Sequence, residues 1–183
     1  MNKKIGKLKN VIYFEENIEN SSLQDGMGGF VSLWIPALEE VVVTAEADTT
    51  TTVVHSHGHK VLVGDYIINV TRNNAVRKVI DIHAHDFTLE SAITGQTQGD
   101  TIKQRLYSHS KVWANIKPKI QLPYNEEQKK LTFVTHTIEI RYRTDITAEM
   151  RIKFGNRYFE ILSIINPDEA KERLVLECRE LII

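Results

Sequence analysis

The residues of this chain best equipped for chemistry are five histidines at alternating positions. His55, His57 and His59 are spaced two residues apart, as are His83 and His85, and Asp86 follows the second set. On an extended strand, residues two apart project from the same face, so each set could present imidazole nitrogens side by side to a zinc or nickel ion. Two features weigh against a resident metal. Gly58 makes the first set turn-prone, and a full ligand set would have to converge from two separate strands. The expectation is therefore of turn histidines with no catalytic, cofactor-binding or metal-ligating residue assigned. A metal-binding module centred on these histidines is kept as an alternative. At a subunit contact, the same cluster would act as a pH-sensitive element.

Other chemistries find little to work with. There is no Gly-x-Ser-x-Gly elbow and no Gly-rich loop leading into a helix, so neither nucleophilic catalysis nor phosphate cradling is indicated, and no enzyme is expected. Gly26-Met27-Gly28-Gly29 precedes a strand-like run with Trp34 and reads as a hairpin turn. The carboxylate pairs Glu15-Glu16, Glu39-Glu40 and Glu126-Glu127 are adjacent in sequence, so their members point to different faces and read as solvated. Trp34 and Trp113 read as core or interface anchors. Cys178 is the only cysteine, which excludes an intrachain disulfide; its place in a closing strand predicts a buried structural thiol.

The elements that would position these residues are strands. Thr137 to Arg143 alternates, with Ile138, Ile140 and Tyr142 on one face and Glu139, Arg141 and Arg143 on the other. Thr144 to Glu149 is rich in residues that bond their own backbone, which predicts a turn. Arg151-Ile152-Lys153-Phe154 then runs into Gly155-Asn156, a hairpin signal, and Tyr158 to Ile165 returns as a second strand. Pro167 cannot donate to a ladder and ends that strand, and Leu174 to Cys178 alternates again. The prediction is a contiguous antiparallel meander.

This succession resembles the phage head-tail joining family, also called head-closure, stopper or connector proteins, of tailed siphophages. The positions that carry it are Ile140-Arg141-Tyr142-Arg143, Met150-Arg151-Ile152, Gly155 to Ile161, Ile165-Asn166-Pro167-Asp168 and Leu174-Val175-Leu176-Glu177-Cys178. Two upstream pieces extend it: residues 4 to 38, a strand, a Gly-rich turn and a strand with Trp34, and Val112 to Pro118, followed by Glu126 to Lys130 as a short helix. In the family these pieces lie a few residues apart; here about seventy intervene.

Residues 39–110 therefore read as an inserted module. Tyr66 to Val70, Val76 to Ile82 and Phe87 to Ser91 are strand-like, as is Lys60 to Val63 before the Gly64-Asp65 turn, and the spacing suggests a small all-β barrel or sandwich. The expected fold is thus mainly β. A small antiparallel barrel with one short helix, from residues 1–38 plus 111–183, is interrupted by a small all-β domain. A formal charge of -1 and 42% apolar residues describe an ordinary globular chain, with no general nucleic-acid or membrane-surface binder in the balance. No apolar run approaches a membrane span, and the basic start lacks the apolar core of a signal peptide.

What the resemblance implies is a structural virion protein of the neck. It would form a homo-oligomeric ring below the portal or adaptor protein, with the tail terminator or tail tube protein beneath it and packaged DNA in the channel, assembled in the host cytoplasm. Open sheet edges and loops would make the contacts, with Thr144 to Glu149 and Pro118 to Lys130 as the candidates for facing DNA. A tail-completion or terminator ring is the related alternative.

Overall fold

The computed structural model describes residues 8–24, 27, 29–38, 40–46, 52–56, 59–119 and 134–182. By its internal contacts the chain divides into two units: Met1–Glu15 with Lys111–Ile183, and Glu16–Ser110.

The first unit is a closed antiparallel barrel. Its strands are the opening part of β1 (Asn10–Gln24), β9 (Lys111–Pro118), β10 (His136–Arg141), β13 (Arg173–Leu181), β12 (Arg157–Ile165) and β11 (Arg151–Phe154), hydrogen-bonded in that order. Pairing of β11 back onto β1, with Tyr13 opposite Lys153 and Glu15 opposite Arg151, completes the circle. The alternation in sequence becomes inside and outside. Along β9, Lys111 and Trp113 are exposed while Val112 and Ala114 are buried, and along β13, Leu174, Leu176 and Cys178 point in. Phe14, Ile138, Ile140, Ile152 and Phe159 fill the rest of the interior, each fully buried. A barrel of six strands has room inside only for its own side chains, so it is a packed core rather than a pore.

Turn chemistry follows the residues. Gly155 takes φ +60° between β11 and β12, while Asn156 stays out of the left-handed region, the pattern of a type II′ hairpin. A register shift between Ile161 and Ser163 bends β12 as the sheet curls. Pro167–Glu169 forms one turn of 3-10 helix, the only helix among the described residues. The short helix expected over Glu126 to Lys130 lies outside the described residues.

The second unit is built on a six-stranded sheet in the order β3 (Glu40–Thr44), β8 (Thr101–Arg105), β5 (Tyr66–Asn69), β6 (Ala75–Ile82), β7 (Asp86–Leu89), β4 (Val53–His55). One face packs Ile67, Val79, Phe87, Leu89, Ile102 and Leu106 into a core. On the other face Ile68 and Val76 pack with Ile35, and Ile18 and Leu33 of the hairpin formed by β1 and β2 (Phe30–Pro36) join them. That burial on both faces explains why residues 16–38 group with this sheet, whereas the sequence reading drew its boundary after residue 38. Lys60 to Val63, expected as a strand, is not one. Val61 is buried, but Leu62 and Val63 stand exposed at a turn, and the Asp65 carboxylate holds it by accepting the Leu62 N–H at 2.9 Å.

Candidate assembly surface

Because the barrel interior is filled, its specialised chemistry lies on the outside. At the seam between β1 and β11, Glu15 is only 1% exposed, and its carboxylate accepts from Arg151 Nε at 2.7 Å with Lys153 Nζ at 3.7 Å. The Arg151 guanidinium also lies over the Tyr158 ring, 4.3 Å from its centroid. Glu15 is therefore not the solvated carboxylate that adjacency to Glu16 suggested; Glu16 itself pairs with Arg105 at 2.8 Å. Pairs recur across neighbouring strands: Arg179 to Glu160 at 2.9 Å, and Arg173 to Glu139 at 2.6 Å. Opposite charges facing across a ladder favour this register over a slipped one.

A tighter node joins β10, β12 and β13. Arg157 donates to both carboxylate oxygens of Glu180, at 2.6 and 2.7 Å, and also to His136 Nε2 at 3.1 Å. Since guanidinium only donates, Nε2 accepts, which leaves the imidazole proton on Nδ1, 2.9 Å from Thr135 Oγ1. The ring stacks edge-on against Phe159. Burial pushes the His136 pKa down, and nearby Arg157 adds to this while Glu180 opposes it. The paired Arg157 holds Glu180 below the usual carboxylate range. Sequence reasoning passed over His136; its only local signal was a histidine at the start of an alternating strand.

Two turns meet at one end of the barrel, where the Tyr142 N–H donates to the Glu172 carbonyl at 3.1 Å. In the first, Thr144 to Glu149, Arg143 clamps Asp145 at 2.8 and 2.6 Å, which holds the Asp145 carboxyl below its ordinary range, and Ile146 is buried. In the second, the Asn166 side chain accepts the Lys171 N–H and donates to Glu169, organising a turn in which Asp168, Glu169 and Lys171 all have positive φ. Of the other stretch expected to face DNA, Pro118 to Lys130, residues 120–130 lie outside the described residues. Trp113 is not in the core: it is 53% exposed, with Lys111 Nζ 5.7 Å from its ring centroid. Trp34 is half-buried.

The histidines of the second unit are turn residues where they are described. His83 and His85 lie in the β6–β7 connection, not on a strand, and His83 Nδ1 is 3.1 Å from Asp86. His59 sets its Nε2 3.0 Å from the His83 carbonyl oxygen and packs edge-on against Phe87. His57 and the His55 side chain lie outside the described residues, and among the described residues no three His, Cys, Asp or Glu side chains gather as a metal site would need. Beneath the surface, Asp100 accepts from Arg72 Nε at 2.9 Å and Asn69 Nδ2 at 3.0 Å. Burial raises its pKa, but the hydrogen bonds of Arg72, Asn69 and Thr97 outweigh that and hold it below the ordinary value. Cys178 is fully buried, and burial pushes its thiol up to about 12.

A closed barrel with a packed interior and ion-paired strand faces defines a protein that works through its surfaces. The family described as phage head completion protein matches residues 88–181, just over half of the chain, from within β7 to the end of β13. The chain belongs to that family, and with it to the structural proteins that complete the bacteriophage head within the virion, in contact with other head and tail proteins. No curated protein matches it. The match opens inside the stretch read as an insertion, and residues 4–38, where the resemblance was extended, lie outside it. Among the described residues, no helix is long and apolar enough to cross a membrane.

Proposed function

We propose that copies of this protein form a ring below the portal or adaptor that closes the DNA-filled head and presents the surface on which the tail terminator or tail tube docks. The observation that supports this reading most directly is the closed, side-chain-filled barrel. No duplex passes through such a barrel, so a channel for packaged DNA has to be framed by several copies side by side. Closure also removes the open edges that the resemblance assigned to ring contacts, so neighbours in this part of the chain meet through strand faces and turns.

On this reading the second unit, which follows the opening part of β1 and precedes β9 in the chain, lies outside the channel, since an extra module per copy would crowd a passage that must admit duplex DNA. Assembly takes place in the host cytoplasm, where a lone buried thiol needs no partner.

Electron microscopy of particles from a phage with an early stop codon in this gene tests the proposal. Heads and free tails accumulating unjoined, with many heads emptied of DNA, is the expected result. Normally joined, filled particles would refute it.

A further inference from the structure

Charge on the barrel is sorted by place. Among the described residues of this unit, Glu15, Glu139, Asp145, Glu160, Glu177 and Glu180 each have an ion-pair partner. The cations outside these pairs are Lys9, Lys111, Lys117 and Arg141, together with Lys171. The first four share one outward face with Trp113. Val11 pairs opposite Trp113, so Lys9, two residues earlier and just ahead of β1, where its N–H bonds the Ala114 carbonyl, points the same way; Ile140 pairs opposite Ala114, so Arg141, one step on, stands beside Trp113. All four, and Trp113, are exposed. The carboxylates Glu149, Glu169 and Glu172, outside these ion pairs, are exposed on the two end turns, where among the described residues Lys171 is the one cation not already held in a pair such as Arg143–Asp145.

We infer that the basic face around Trp113 on one copy docks against the acidic end turns of a second copy, a contact between two patches that adjoin on each barrel, since Arg141 borders the turn where Tyr142 bonds Glu172. The inference rests on the ring reading above and deepens it by naming the two surfaces. A contact between two different patches of the same chain is heterologous, the type that propagates around a ring. An exposed tryptophan encircled by Lys and Arg has the make-up of an interface centre, an aromatic anchor with a charged rim that steers and orients the partner. Duplex DNA is less well matched, because its phosphates satisfy the lysines but its stacked bases offer the indole no pocket.

Charge reversal in the complete protein, supplied from a plasmid to the early-stop phage, tests the pairing. One variant reverses the face (Lys111→Glu with Arg141→Glu), another reverses the turns (Glu169→Lys with Glu172→Lys), and a third carries all four substitutions. Each two-residue variant places like charges opposite each other and is expected to lower the yield of filled, tailed particles by about 100-fold or more. The four-residue variant, whose reversed face matches its reversed turns, is expected to recover most of that yield. All four positions are exposed, and melting curves of the purified variants confirm that each is folded before its yield is compared. Full yield from either two-residue variant, or no recovery with all four, overturns the contact. A face variant that fails and loses affinity for a duplex DNA fragment, beside a turn variant that assembles normally, also overturns it and assigns the face to DNA. Joined particles from the early-stop phage without any supplied protein would instead refute the ring reading itself.

Discussion

Replacing Glu15 with Ala should open the barrel at its seam. The carboxylate is 1% exposed and holds Arg151, whose side chain is only 14% exposed, so its removal leaves a largely desolvated guanidinium facing a gap. Removing one partner of a buried pair costs about 3–5 kcal/mol. The lower figure applies here, because the Arg151 ring contact with Tyr158 remains and solvent reaches its neighbour Lys153. For a unit under about 100 residues, a loss of about 3 kcal/mol corresponds to a fall in melting temperature of roughly 12 °C or more. Circular dichroism melts and urea titrations of Glu15→Ala, beside Glu15→Met with Arg151→Met, measure it. The double substitution should recover much of the loss, since apolar side chains can replace a buried pair at little cost. A fall of under about 3 °C for Glu15→Ala, below what a loss of about 1 kcal/mol would produce, would refute the idea that this pair locks β11 to β1.

Three further outcomes follow from the geometry. Cys178 should stay unreactive toward a thiol reagent at pH 8 in the folded protein and react within the denatured one, which an absorbance assay with and without urea reads directly. Stability should fall on acidification. Burial holds His136 below its ordinary 6.5, so between those values the unfolded chain binds more protons and folding loses ground as pH drops. Glu180 and Asp145, held below 4.5 and 3.8, extend the loss to lower pH, and His136→Gln should flatten only the upper part of a urea-midpoint profile. Asp100→Ala should cost the second unit about 1–3 kcal/mol by removing the carboxylate that pairs Arg72 and one of the two acceptors of Asn69, with hydrogen exchange rising there while the barrel amides keep their protection.

What was legible in the sequence was the part governed by local rules. Strands β10 to β13 announce themselves by alternation and by Gly155 and Pro167 at their ends, and the pairing of β11 with β12 follows from a two-residue turn. The short strands β3, β4 and β8 were missed because three to five residues carry too little periodicity to stand out from turns. The burial of Glu15 could not be read at all, since its partner lies 136 residues away. Trp113 was equally opaque: Val112, Trp113 and Ala114 are consecutive apolar residues, and only the register with β1 and β10 decides which of them faces out. The histidine spacing drew attention for a strand that ends at His55.

Barrel closure sets an order of events in folding. The strand that closes it, β1, is made early, while its partners β9 and β11 emerge only after the whole of the second unit has been synthesised. Until then the apolar side of β1 around Ile12 and Phe14 has nothing to pack against. Folding of residues 16–110 into their own core shortens the effective loop between β1 and β9, and so lowers the entropic cost of bringing them together. The other barrel pairings join segments nearer in the chain, so the two made by β1 are the slow ones to form, and the loop that the first of them must close is shortened once residues 16–110 have folded.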